Sequence, residues 1–145
     1  IIEPYIVPTP SMAPTLVVGD RVLVNKVYYK FNDVKRGDII AFYSPIEKKY
    51  LVKRVIAVPG DYLNLTNEGD IYINGEVLSE PYLSDDENFS YSDLKVEIYE
   101  GQYFVMGDNR NNSSDSRVFG PIGNDLVFGK VFFIYGPFSR IGRVR

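Results

Sequence analysis

Apolar residues in this chain recur in short bursts instead of at helical spacing. Val, Ile, Tyr and Phe gather over Arg21 to Tyr29, Asp38 to Tyr43, Tyr50 to Val58, Val96 to Met106 and Leu126 to Tyr135, each burst bounded by Gly, Pro, Asn or Asp. No longer window keeps the apolar period of a helix. Ile71-Tyr72-Ile73 and Glu76-Val77-Leu78 flank Asn74-Gly75, the pair that a type I′ turn prefers, so Asp70 to Leu78 predicts a hairpin. The pattern predicts an all-β protein with a barrel-like antiparallel sheet core. Between Tyr62 and Tyr99 the bursts thin out and acidic and polar residues thicken around Ser84 to Asp93. This predicts a small inserted β-hairpin or flap at 62–99, with the core formed by 1–61 and 100–145. Such an insertion costs little in closure entropy when it sits on a surface. There is no internal repeat.

Composition narrows the chemistry. The 145 residues, 45% hydrophobic and 24% charged, suit one ordinary globular domain. The 12 tyrosines and 9 phenylalanines suit pleated, half-buried surfaces and need no ligand to explain them. There is no cysteine and no histidine. Disulfides are excluded, and a zinc site would have to be built from carboxylates alone, which is not how proteins hold that metal. A Ser-His-Asp triad and a Cys-His dyad are also impossible. Any covalent hydrolase written in this alphabet needs a Ser or Thr nucleophile with a Lys or carboxylate base. A net charge of -3 argues against a nucleic-acid partner. Pro4, Pro8, Pro10 and Pro14 interrupt the longest uncharged run near the start, so it does not predict a membrane span. The chain opens on Ile1-Ile2 without a methionine, and the expectation is that an anchoring segment precedes it.

Three segments carry candidate chemistry. In Pro8-Thr9-Pro10-Ser11-Met12-Ala13-Pro14, prolines constrain an extended backbone around one serine. Ser11 is a candidate nucleophile, with its own N–H and the Thr9 hydroxyl as candidate oxyanion donors. In the apolar run Tyr50 to Val58, Lys53 and Arg54 are adjacent and so point to opposite faces of a strand. A desolvated lysine loses its proton readily whereas arginine stays charged, which makes Lys53 the candidate base and Arg54 the candidate structural cation. The third segment, Val105 to Arg117, is almost wholly polar after its first two residues. Its short hydrogen-bonding side chains suit a fixed network able to orient an ammonium, with Ser113 placed to hold the lysine. Each segment also has a plainer reading: a proline turn, a snorkelling surface lysine and a solvated loop.

Taken together, the segments resemble the bacterial type I signal peptidases, which cleave signal peptides with a Ser-Lys dyad. One family box resembles Thr9-Pro10-Ser11-Met12-Ala13-Pro14-Thr15-Leu16 followed by Gly19-Asp20, and a second resembles Arg36-Gly37-Asp38-Ile39-Ile40-Ala41-Phe42. A third matches Lys53-Arg54-Val55 through Pro59-Gly60-Asp61. The last matches Gly107-Asp108-Asn109-Arg110 through Ser113, Asp115-Ser116-Arg117 and Phe119-Gly120. The boxes stand in the family's order across Ile1 to Pro137.

The resemblance implies Ser11 as nucleophile, Lys53 as general base, Ser113 hydrogen-bonded to the lysine and Thr9 as oxyanion donor. It implies supporting roles for Asp115, Arg117, Arg54 and Asp108, and close backbone approach to the lysine at Gly107. Val7, Pro8, Met12, Leu51 and Val52 would line a cleft for small side chains at the first and third positions before the cut. The implied partners are preprotein signal peptides and the lipid bilayer surface, with no nucleic acid, no cofactor and no metal. The implied setting is a monomer whose catalytic domain stands on the extracytoplasmic side of the cell membrane. Three alternatives belong beside this reading. A self-cleaving domain of the SOS type needs a cleavage segment, commonly Ala-Gly, and that dipeptide does not occur here. A mitochondrial-type inner-membrane peptidase usually departs further from the last box. An inactive peptide-binding β-module would have lost Ser11 or Lys53, and both are present.

Overall fold

The computed structural model describes residues 1–144. Its larger sheet is antiparallel and runs in the order β1 (Ile2–Ile6), β2 (Arg21–Asn25), β11 (Val127–Gly136), β3 (Ile39–Ser44), β4 (Lys49–Ala57), β9 (Gln102–Met106) and β10 (Ile122–Gly123). β12 (Gly142–Arg143) pairs with β11 off this path. A second antiparallel sheet holds β7 (Glu76–Val77), β6 (Ile71–Ile73), β5 (Tyr62–Leu65) and β8 (Leu94–Glu97). Two four-residue helices, α1 (Tyr28–Phe31) and α2 (Ser116–Phe119), complete the regular structure together with short 3-10 turns. The all-β expectation holds. The larger sheet is open along this path, with β1 and β10 at its ends, so "barrel-like" describes its antiparallel strands and not a closed cylinder.

The hairpin at Asn74-Gly75 forms as the turn chemistry dictates. Both residues take positive φ, 53° and 86°, the left-handed pair that a type I′ turn requires. Elsewhere local chemistry cuts the bursts shorter than their apolar content suggests. The burst Arg21 to Tyr29 ends as a strand at Asn25, whose side chain accepts from the Val27 amide and turns the chain into α1. The burst Val96 to Met106 is two strands, separated by a turn in which Gly101 has φ 78°. β1 was hidden by its proline. Pro4 sits on an edge strand paired only with β2, where its missing N–H costs the ladder nothing.

Three buried clusters fill the interior. One packs Val7, Met12 and Leu16 against Val22, Val24, Ile39, Ala41, Val52 and Val131, so the serine segment is roofed onto the sheet. A second places Ile56, Phe104 and Met106 of the larger sheet under Leu63, Leu65, Ile71 and Ile73 of the smaller one. The third joins Ile40, Phe42, Val55, Tyr103, Val105 and Ile122. β4 lies among all of them, because Val52, Ile56 and Val55 fall in different clusters. A strand this thoroughly buried holds whatever polar side chains it carries in fixed places.

Candidate active site

Thr9 is extended (φ -130°, ψ 158°), and the chain then enters a 3-10 turn at Pro10–Met12. The prolines therefore do not keep Ser11 extended as the sequence suggested. Pro10 stands at the start of the turn, where its fixed φ fits and its missing N–H leaves no bond unmade. Ser11 is buried at 8% exposure, and its hydroxyl lies 3.1 Å from that of Thr9. Asn109 clamps the turn from the opposite loop. Its amide donates to the Ser11 carbonyl at 2.9 Å, and its side chain donates to the Pro10 carbonyl at 3.0 Å. The amide of Asp108 adds a contact to Met12 Sδ, and Thr15 donates its hydroxyl to the Asp108 carboxylate.

Strand alternation sends Lys53 and Arg54 to different destinations, although both are buried. Arg54 donates two parallel bonds to Asp108, at 2.9 and 2.8 Å, and a third to the Gly37 carbonyl. Its guanidinium also stacks 3.6 Å from the centre of the Tyr82 ring. Lys53 donates to Ser113 at 3.2 Å, and Ser113 donates in turn to Asp115 at 2.9 Å. Burial pushes the Lys53 ammonium down to about 8, against the carboxylates of Asp115 and Glu47, which favour the charged form. The cations of Arg117 and Lys49 push in the same direction as burial.

Asp115 is the hub of the polar loop. It accepts from the Gly107 amide, from Ser113 and from the Arg117 side chain, and it caps α2 through the Arg117 amide. Burial raises its pKa, but the Arg117 guanidinium and these hydrogen bonds outweigh burial and hold it below the usual carboxylate range. Arg117 also donates to the Arg110 carbonyl, closing the loop on itself. A side chain at Gly107 would fall on Ser113 and on the Ser11 carbonyl. The tight approach at Gly107 is thus to these two residues, one of which holds the lysine.

Ser11 and Lys53 line two adjoining hollows. The larger, about 420 Å³, is bordered by Thr9, Ser11, Lys53, Ser113, Glu47 and Asn111. The smaller, about 30 Å³, brings together Val7, Pro8, Met12, Leu51 and Val52, all five of the residues expected to line a cleft. Chemically the arrangement offers a hydroxyl in a shaped groove and, sharing that groove, an amine poised to shed its proton.

The family model described as "signal peptidase, peptidase S26" matches residues 1–136. The chain belongs to the signal peptidase family. It is 35% identical to the probable signal peptidase I-2 of Synechocystis, over 98% of this chain and 66% of that protein. It is 39% identical to the probable signal peptidase I-1 of the same organism, over 99% and 76%. With signal peptidase IB of Staphylococcus aureus it shares 38% identity, over 96% and 80%. The chain thus spans about two thirds of the first relative's length and more of the others. A crystal structure of a signal peptidase I from Enterococcus faecalis superposes with a TM-score of 0.59 at 36% identity, covering 68% of this chain and 97% of that one.

Within this signal peptidase domain, several residues bearing on the site had drawn no individual role from the sequence. Asn109 lies inside a recognised box, so its position was visible and only its clamp on the serine turn was not. Tyr82, Glu80 and Tyr91 come from the polar insertion and grip Arg54 and Arg110. No signal in the sequence connects them to the site, because they meet it only through the packing of the second sheet. No helix among the described residues is long and apolar enough to cross a membrane.

Proposed function

We propose that this chain is a serine endopeptidase that removes signal peptides from secreted preproteins, with Ser11 as nucleophile and Lys53 as general base. The observation that carries the reading is Lys53 itself. It is a buried lysine in the same groove as the serine hydroxyl, oriented by Ser113 and with its proton loosened to about 8. Neutral Lys53 takes the Ser11 proton as Oγ attacks the scissile carbonyl carbon, and the carbonyl oxygen becomes an oxyanion. Thr9, whose hydroxyl already lies beside Ser11, turns to donate to that oxygen. The C–N bond then breaks, Lys53 returns the proton to the leaving amine, and an ester to Ser11 remains. A water that Lys53 deprotonates hydrolyses the ester and restores both side chains.

The smaller hollow supports the choice of substrate. About 30 Å³ is the room of a water or a methyl group, which suits alanine-sized residues at the first and third positions before the cut. Exposed Ile1, Ile2 and Ile6 at and beside β1, with Phe138 at 91% exposure, support work at a bilayer surface. The test is cleavage of a preprotein carrying an Ala-x-Ala site, with lipid or detergent present, by the wild-type chain, Ser11→Ala and Lys53→Ala. Cleavage after the second alanine by wild type alone is the expected result, read by sequencing the product. Equal cleavage by either variant overturns the assignment.

A further inference from the structure

Glu47 occupies the turn from Pro45 to Lys48 that joins β3 to β4. The turn is well defined: the Lys48 amide donates to the Ser44 carbonyl at 2.7 Å, the Glu47 amide donates to the Ser44 hydroxyl at 3.2 Å, and Lys48 takes a positive φ of 55°. This geometry turns the Glu47 side chain back over the groove, where it borders the same hollow as Ser11, Lys53 and Ser113. Its Oε2 is shut away from solvent and has no hydrogen-bond partner. Among the described residues it is the one buried side-chain oxygen or nitrogen in that condition.

An unmatched buried carboxylate oxygen is costly, and a molecule that pairs its other buried side chains so thoroughly has a use for it. The neighbouring cations do not meet the need. Lys53 is directed to Ser113, and Lys49, exposed at the mouth of the groove, forms no ion pair with Glu47 among the described residues. We propose that Glu47 is a specificity-determining residue: its carboxylate turns out of its shielded position into the groove to receive a lysine or arginine side chain that the substrate carries near the scissile bond. A cation is the matching partner because Glu47 is the one carboxylate bordering a hollow whose other charged residues, Lys49 and Lys53, make no hydrogen bond to its Oε2, and a carboxylate partly shielded from water discriminates an opposite charge more strongly than one at an open surface. The inference rests on the Ser11 and Lys53 reading of the groove.

The test uses preproteins that share one Ala-x-Ala cut and carry no other charge beside it. A single lysine or a single glutamate is placed in turn at each flanking position apart from the two small-residue positions. Ratios of kcat/KM are taken at a pH above the acid limb, so any change that Glu47 variants make to Lys53 cancels between substrates. With wild type, one position is expected to favour lysine over glutamate by roughly three- to tenfold. Glu47→Gln should bring that ratio close to one, and Glu47→Lys should invert it. The inference is overturned by a flat ratio at every position, or by a preference that Glu47→Gln leaves unchanged. It is also overturned if Glu47→Gln slows all substrates alike, because the contact would then be to a group common to every substrate, such as a backbone N–H or the new amino terminus. Cleavage of the uncharged parent by wild type but not by Ser11→Ala reports the catalytic reading separately, so the two failures are distinguishable.

Discussion

Lys53 combines two demands that usually conflict, since it must be buried enough to lose its proton yet open to a substrate. The groove meets both by desolvating the stem and the ammonium while Ser113 fixes the direction of the nitrogen. With the amine at about 8, the acid limb of kcat/KM should show an apparent pKa near 8 and fall tenfold per pH unit below it. Lys53→Arg should be inactive across the whole range, because a guanidinium does not release its proton. Stability should move the other way. The folded chain holds this proton less tightly than the unfolded chain, whose lysine has the ordinary value of 10.5, so the group opposes folding fully below pH 8 and ceases to do so as pH rises through 10.5. Lys53→Met, which keeps the apolar stem, should therefore be dead as an enzyme yet gain up to about 3 kcal/mol below pH 8, with the gain gone above 10.5. Denaturant melts at pH 7 and pH 11 check this. At this scale the sequence was informative, since the lack of histidine leaves a lysine or a carboxylate as base and strand alternation separates Lys53 from Arg54. Glu47 was not legible, because its place over the groove depends on a positive φ at Lys48 that no turn-forming residue announces.

Three segments make the site: the strand β4, the serine turn Pro10–Met12, and the polar loop from Gly107 to Asp115 that crosses over that turn. The spacing between this loop and the serine turn is set at Gly107, where an added side chain would meet Ser113 and the Ser11 carbonyl. Gly107→Ala should drive these two apart and lower kcat by a hundredfold or more, roughly what a displacement of about 1 Å in a catalytic group costs. Its far-ultraviolet dichroism should remain native, because the strand ladders pair with one another and Gly107 lies outside them. Most strands could be read from their apolar bursts, since β-branched and aromatic residues between turn formers have few other uses. What failed was local. Asn25 and Gly101 end strands through turn chemistry, Pro4 disguises an edge strand, and Pro10 starts a 3-10 turn in a segment that looked extended. In each case a single residue's backbone preference overrode the pattern around it.

At the level of the molecule, the smaller sheet is not a passive appendage of the larger one. It shares a hydrophobic cluster with β4 and β9, and the loop following β7 reaches over to the polar loop. There Glu80 binds Arg110 with both carboxylate oxygens, at 3.1 and 2.6 Å, while Arg110 also donates to the Gly107 carbonyl and to Tyr91. The Arg110 side chain is fully buried. Glu80→Ala should leave this charge without its partner and cost roughly 3 kcal/mol, seen as a lower denaturation midpoint. Because Arg110 holds the loop that carries Ser113, the same variant should lower kcat more than it raises KM. This coupling between insertion and site lay beyond the sequence, where Glu80 and Arg110 are thirty residues apart and nothing in their spacing pairs them.

The double bond from Arg54 to Asp108 has a consequence for the fidelity of folding. A β-strand that slips by one residue exchanges its two faces, and in β4 the slip that brings Lys53 opposite Asp108 would leave Val52 in the groove where the lysine belongs. Net charge does not forbid it, since a cation would still face a carboxylate. Shape does: the three bonds that Arg54 makes to Asp108 and Gly37 require a planar fork, and an ammonium cannot span them. The arginine thus acts as an alignment key for the strand, rejecting a misthreaded molecule that would keep its charge pairing but have lost its base.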